Sequence, residues 1–167
     1  MAENGAITWR RGVFAESDLD NTPGGAVALV ISATDDQPVN ETVARAAAAR
    51  KILCNVVDQP ALCDFITPAL ITRGDLQITV SSGGVSPTVA QRVRREIGEI
   101  IGEEYSELLE IAGVLRRQLR ECDLSFAQRR DLLRDFVESA ALDLLRAGDR
   151  AGAMRLADDV RARVPAD

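Results

Sequence analysis

The 167-residue sequence predicts an α/β fold: a small parallel sheet, then a β-hairpin, then a C-terminal third built of helices. Three observations predict it. Residues 26–31 and 52–57 are short, continuously apolar, β-branched runs without polar alternation, the pattern of strands buried on both faces of a parallel sheet. Between them, residues 39–50 carry an Ala-rich packing face, with Arg45 and Arg50 outside it, as a packed helix does. From Thr88 onward the apolar residues recur at helical spacing almost to the end.

The elements follow in order. Ile7-Thr8-Trp9-Arg10 reads as a short β-like segment, followed by the polar stretch that holds Glu16, Asp18 and Asp20. Thr22-Pro23-Gly24-Gly25 breaks the chain before the first buried strand, and Ala33-Thr34-Asp35-Asp36-Gln37-Pro38 ends that strand. The helix and the second strand complete a strand–helix–strand crossover, with Asp58 at the tip of the second strand. Residues 65–71 and 76–81 read as two strands joined at Arg73-Gly74-Asp75, either a hairpin or an exchanged antiparallel pair, with Pro68 marking the first as an edge or bulged strand. Ser86 is the expected N-cap and Pro87 the first residue of the next helix. Helices are expected near 87–101, 104–121, 125–147 and 149–163, with breaks at Gly102, Asp123-Leu124-Ser125 and Gly148. Leucines such as Leu115, Leu119, Leu132, Leu133, Leu142, Leu144 and Leu145 are expected to pack the helical core.

Composition excludes several kinds of chemistry. There is no histidine, so no Ser-His-Asp or Cys-His pair and no imidazole metal ligand. Acid–base work falls to carboxylates, cysteines, Tyr105 or Lys51. A net charge of −6, with six aromatic residues not interleaved with the basic ones, argues against nucleic-acid binding. Cys54, Cys63 and Cys122 lack metal-site spacing, and no metal site is expected. No apolar run reaches membrane-spanning length, and reduced thiols point to the cytoplasm.

Ligands of open α/β sheets bind at the carboxyl ends of the strands, where Thr34, Asp35, Asp36 and Asp58 lie. For Asp35 and Asp36 alone, turn chemistry and N-capping are the better account, whereas Asp58 is less easily explained by them. Ser81-Ser82-Gly83-Gly84 before a helix start can hold an anion through backbone N–H groups and hydroxyls, or be a plain turn. Arg92, Arg94 and Arg95 can meet carboxylates, or form a solvated helix face.

In order and spacing, several motifs resemble a known family. They are Val30-Ile31-Ser32-Ala33-Thr34-Asp35-Asp36, Asn40, Cys54-Asn55-Val56-Val57-Asp58, Phe65-Ile66-Thr67-Pro68-Ala69 and Ser81-Ser82-Gly83-Gly84-Val85-Ser86-Pro87. The family is that of precorrin-2 dehydrogenase / sirohydrochlorin ferrochelatase, the N-terminal module of siroheme synthase. The resemblance implies a partial Rossmann-like parallel sheet over residues 1–63, a hairpin-and-helix dimerisation segment over 64–102 and a helical domain over 103–167. It implies NAD-dependent oxidation of precorrin-2 to sirohydrochlorin, then Fe²⁺ insertion in many members, by a homodimer whose partners are tetrapyrroles and Fe²⁺ as substrate.

Asp58 matches the family's catalytic aspartate. Thr34, Asp35, Asp36, Asn40 and Asn55 fall beside the dinucleotide. Ser81, Ser82, Gly83, Gly84 and Arg92 fall beside the tetrapyrrole, and Ser82 matches a serine that some members phosphorylate. The family's Gly-rich turn has no counterpart here, since no G-x-G-x-x-G or G-x-G-x-x-A occurs. The strand at 26–31 therefore corresponds to the third strand of the expected Rossmann domain, and a first βαβ unit of roughly 30 residues is expected to be missing. A tetrapyrrole-binding or oligomerisation module without catalysis is the alternative reading.

Overall fold

The computed structural model describes residues 7–20 and 25–164. They fall into two compact units. One runs up to Thr67 and takes in Gly83–Val85; the other holds Pro68–Ser82 and the chain from Ser86.

In the first unit, strands β1 (Leu29–Ser32) and β2 (Leu53–Val56) pair in parallel, with Leu29 opposite Leu53 and Ser32 opposite Val56. Helix α1 (Gln37–Ala49) connects them and starts two residues earlier than the sequence pattern indicates, because Asp36 caps it and Pro38 is tolerated in a first turn. Val43, Ala46, Ala47, Ile52, Cys54 and Val56 form the core with Leu19, which a single 3₁₀ turn (Glu16–Leu19) delivers. Arg50 fastens that turn through Asp20 at 2.7 Å and Glu16 at 3.6 Å.

Two expectations are corrected here. Residues 7–10 form no strand: Trp9 is exposed, and Arg10 instead pairs with Asp18. The two buried runs are not covered on both faces. The core side, under α1, is covered, whereas Leu29, Ile31 and Leu53 on the opposite face are about half exposed. The break expected at 22–25 lies, except for Gly25, outside the described residues.

The second unit begins with strands β3 (Ala69–Arg73) and β4 (Leu76–Val80), an antiparallel hairpin pairing Ala69 with Val80 and Arg73 with Leu76. Its two-residue loop places Gly74 at φ 55°, and a Cβ there would collide with the Ser106 hydroxyl. The first strand starts at Ala69 rather than Phe65, since Pro68 has no N–H for the ladder and the Phe65 carbonyl is engaged by Asn55. Helices α2 (Pro87–Ile100), α3 (Glu104–Arg120), α4 (Phe126–Val137), α5 (Ala141–Arg146) and α6 (Arg150–Ala162) follow. Leu108, Ile111, Leu115 and Leu119 line one face of α3 and meet Phe136, Ala141, Leu145, Ala153, Ala157 and Val160. The single helix expected over 125–147 is two. The Ser139 hydroxyl donates to the Phe136 carbonyl and accepts the Ala141 N–H, ending one helix and opening the next.

Candidate functional site

The carboxyl ends of β1 and β2 lie side by side, because the Val57 N–H donates to the Ser32 carbonyl at 2.9 Å. Each strand then turns into a loop with its own internal lock. After β1 the lock is Asn40, buried on α1. Its side-chain oxygen accepts from Ser32 Oγ at 2.7 Å and Thr34 Oγ1 at 2.8 Å, and its Nδ2 donates to the Thr34 carbonyl at 3.0 Å. The Asp36 carboxylate accepts the Val39 N–H at 3.1 Å. Asn40, Thr34 and Asp36 thus shape the turn, while Asp35 is exposed and makes no hydrogen bond or ion pair among the described residues.

After β2 the lock is Cys63. Its sulfur accepts the Val56 N–H at 3.2 Å, and its thiol lies 3.2 Å from the Val56 carbonyl and 3.3 Å from that of Gln59. Asp64 closes the loop next to it. Its carboxylate accepts the Cys54 N–H at 2.9 Å, and its own N–H donates to the Cys54 carbonyl at 2.8 Å. Buried Asn55 donates to the Phe65 carbonyl at 2.8 Å. Burial, with Asp64 and Cys63 adding to it, pushes the Cys54 thiol up from its ordinary ionisation range. The sequence pattern gave Cys63 no role beyond lacking metal-site spacing and did not single out Asp64, because hydrogen bonds of a loop thiol or carboxylate leave no periodic trace.

Asp58 sits at the top of this loop. A turn closes around it through the Gln59 N–H and Val56 carbonyl at 3.2 Å. It is exposed, and its φ of 60° is left-handed, a conformation that aspartate tolerates better than most side chains. Such a residue at a strand's carboxyl end is the kind of local strain that functional positions retain.

The remaining candidates fall later in the chain. Ser82 Oγ accepts the Ser86 N–H at 3.1 Å, and Ser86 caps α2 through the Val89 N–H at 3.3 Å. Gly83 and Gly84 take φ of 61° and 81°, and a Cβ on Gly84 would come within 2.9 Å of Ile66. Ser81 is exposed beside them. Arg92 is committed to Glu96, one helical turn on, at 2.8 Å, which raises the guanidinium's already high pKa. Arg94 donates to the Leu70 carbonyl at 2.7 Å. The first unit therefore brings together Thr34, Asp35, Asp36, Asn40, Asn55 and Asp58, while Ser81, Ser82 and Arg92 belong to the second. Arg73 was read only as part of a turn. It donates to the carbonyls of Gly98 and Ile101 at 3.0 and 2.9 Å and so ties the hairpin to the end of α2.

Asp35, an unpartnered carboxylate at the strand edge, matches the acceptor that a ribose hydroxyl requires. Among the described residues no group of histidine, cysteine or acidic side chains could hold a metal ion, and no helix is long and apolar enough to cross a membrane.

The family described as putative NAD(P)-binding matches residues 1–69, and that described as sirohaem biosynthesis protein central matches residues 73–99. Siroheme synthase of Pseudomonas paraeruginosa (strain DSM 24068 / PA7) is 37% identical over 148 residues, 89% of this chain and 32% of that protein. Siroheme synthase of Salmonella arizonae is 36% identical over 152 residues, 90% of this chain and 32% of that protein. The chain thus spans about a third of the length of the curated relatives it matches. A solved structure of SirC, a precorrin-2 dehydrogenase, superposes with a TM-score of 0.72 at 21% identity, covering 95% of this chain and 74% of that one, a likeness of fold. Two consecutive family matches and relatives that align along nearly its whole length place this chain in the siroheme synthase family, as a counterpart of that enzyme's N-terminal module.

Proposed function

We propose that this chain acts in siroheme biosynthesis, in the NAD-dependent oxidation of precorrin-2 to sirohydrochlorin, and that the same site serves Fe²⁺ insertion into the product. The observation that carries the reading is Asp58, an exposed carboxylate held in a left-handed turn at the carboxyl end of β2. NAD⁺, when bound, supplies the hydride acceptor. The substrate must also release a proton as it becomes more conjugated, and in a histidine-free chain the Asp58 carboxylate is the base placed to take it. Insertion of Fe²⁺ displaces pyrrole protons, for which the same carboxylate serves. Asp35 would meet a ribose hydroxyl, with Thr34, Asp36, Asn40 and Asn55 holding the two loops in register. Ser81, Ser82, Gly83, Gly84 and Arg92 would face the tetrapyrrole, and Ser82, whose oxygen already accepts a backbone N–H, keeps its hydroxyl hydrogen for a substrate carboxylate.

The three segments 1–63, 64–102 and 103–167 would serve as dinucleotide, dimerisation and helical parts of a cytoplasmic homodimer. The test is precorrin-2 oxidation by protein carrying this chain, with and without an N-terminal extension. Asp58→Asn is expected to abolish turnover and leave tetrapyrrole binding and oligomeric state unchanged. Near-normal turnover by that variant overturns the assignment.

A further inference from the structure

The second unit carries a feature that the proposed reaction leaves unused. A cavity of about 360 Å³ between α3 and α4 is lined by Arg116, Arg120, Phe126, Arg129, Arg130 and Leu133. Arg116 and Arg120 are one turn apart on α3; Phe126, Arg129, Arg130 and Leu133 make one stripe of α4, at helical intervals of three and four. Four arginines therefore line one cavity in a chain of net charge −6, and no acidic residue is among its lining. Arg116 and Arg120 have no hydrogen-bond or ion-pair partner among the described residues. Arg130 pairs with Asp131 at 2.9 Å, and Arg129 donates to the Leu124 carbonyl.

Helix electrostatics explain Arg120, which lies in the last turn of α3 where a cation is favoured. They do not explain Arg129 and Arg130, which lie in the N-terminal half of α4, away from the helix end that favours a cation. Phe126 adds a second, independent signal. It is 75% exposed at the rim, an uncovered ring in a chain with six aromatic residues. A second cavity of the unit, about 560 Å³ and lined by Leu109, Val114, Arg150 and Met154, differs in kind. There Arg150 is already neutralised by Glu107 and Glu110, both at 2.9 Å.

We propose that the α3–α4 cavity is a binding site for a planar conjugated ring carrying several anionic groups. The ring would lie on Phe126 and Leu133, and its anionic arms would meet the forked guanidinium groups. A polycarboxylate tetrapyrrole and a nucleotide both have this chemistry. The site is built from the second unit alone and does not depend on whether Asp58 is catalytic.

The experiment titrates the whole chain with uroporphyrin and with ADP, using a cationic porphyrin as the control for ring without anion. At least one of the two anionic probes is expected to bind saturably and more weakly at high salt. Arg116→Glu with Arg120→Glu is expected to weaken it about tenfold or more, since both charge-assisted contacts are lost. Arg116→Gln with Arg120→Gln gives the same direction should charge reversal unfold the chain. Phe126→Ala weakens binding severalfold, whereas Asp58→Asn and the control pair Arg45→Glu with Arg155→Glu leave it unchanged. Uroporphyrin alone identifies a tetrapyrrole site, and ADP alone a nucleotide site. Binding of neither probe, equal binding of the cationic porphyrin, or indifference to both Arg116/Arg120 pairs overturns the proposal.

Discussion

Asp58, the base of the proposed reaction, carries a conformational cost. At φ 60° a side chain with a Cβ sits where glycine would be more comfortable, by about 1 kcal/mol or somewhat more. Asp58→Gly is therefore expected to match or exceed wild-type stability, by up to about 1 kcal/mol, while Asp58→Val falls below it by about 1–2 kcal/mol. Urea unfolding of the three proteins checks the order, and a less stable Asp58→Gly would contradict the strained turn. Cys54 gives a second residue-level test. Its thiol ionises at higher pH in the folded chain than in the unfolded one, so the unfolded state sheds that proton first. The resulting stability is present at neutral pH and is lost as pH rises through and beyond the usual thiol range, about 8.5. The decline of the urea midpoint between pH 7 and 10 should be shallower in Cys54→Ala than in wild type; parallel curves would remove burial of Cys54 as its cause. Asp58 was legible in the sequence because it ends an apolar run. Cys63 and Asp64, which hold its loop, were not, since they act by single contacts across a loop rather than by pattern.

Among the elements, legibility followed local rules. The α2 start was readable because Ser86 and Pro87 satisfy capping and first-turn requirements on their own. The hairpin was readable from Gly74-Asp75 between two apolar runs. The separation of α4 from α5 was not, since it turns on one serine hydroxyl that could equally face solvent in a longer helix. The two ends of α4 also differ sharply in burial. Phe136 is fully enclosed in the helical core, and Phe126 is open. Phe136→Ala is expected to cost about 3–5 kcal/mol, whereas Phe126→Ala should stay within about 0.5 kcal/mol of wild type. Thermal or urea unfolding distinguishes the two, and similar losses would mean that the α4 register is wrong.

For the molecule as a whole, the fold class was readable but its coverage was not. Continuous apolar strands predicted a sheet covered on both faces. The structure covers one, leaving Leu29, Ile31, Leu53 and Val57 about half exposed. Strand hydrophobicity records that a face is apolar, not which segment or molecule covers it. For the candidate site, position in the chain was legible: Asp58 and the Thr34–Asp36 turn follow the paired strands β2 and β1 at one sheet edge, whereas Ser81, Ser82 and Arg92 belong to the second unit. The most direct test of the central claim is NAD⁺-dependent conversion of precorrin-2 to sirohydrochlorin by protein carrying this chain, wild type against Asp58→Asn. Conversion is expected to require NAD⁺ and the carboxylate, with tetrapyrrole binding retained in the variant. Turnover that survives the loss of that carboxylate, or proceeds without NAD⁺, would contradict it.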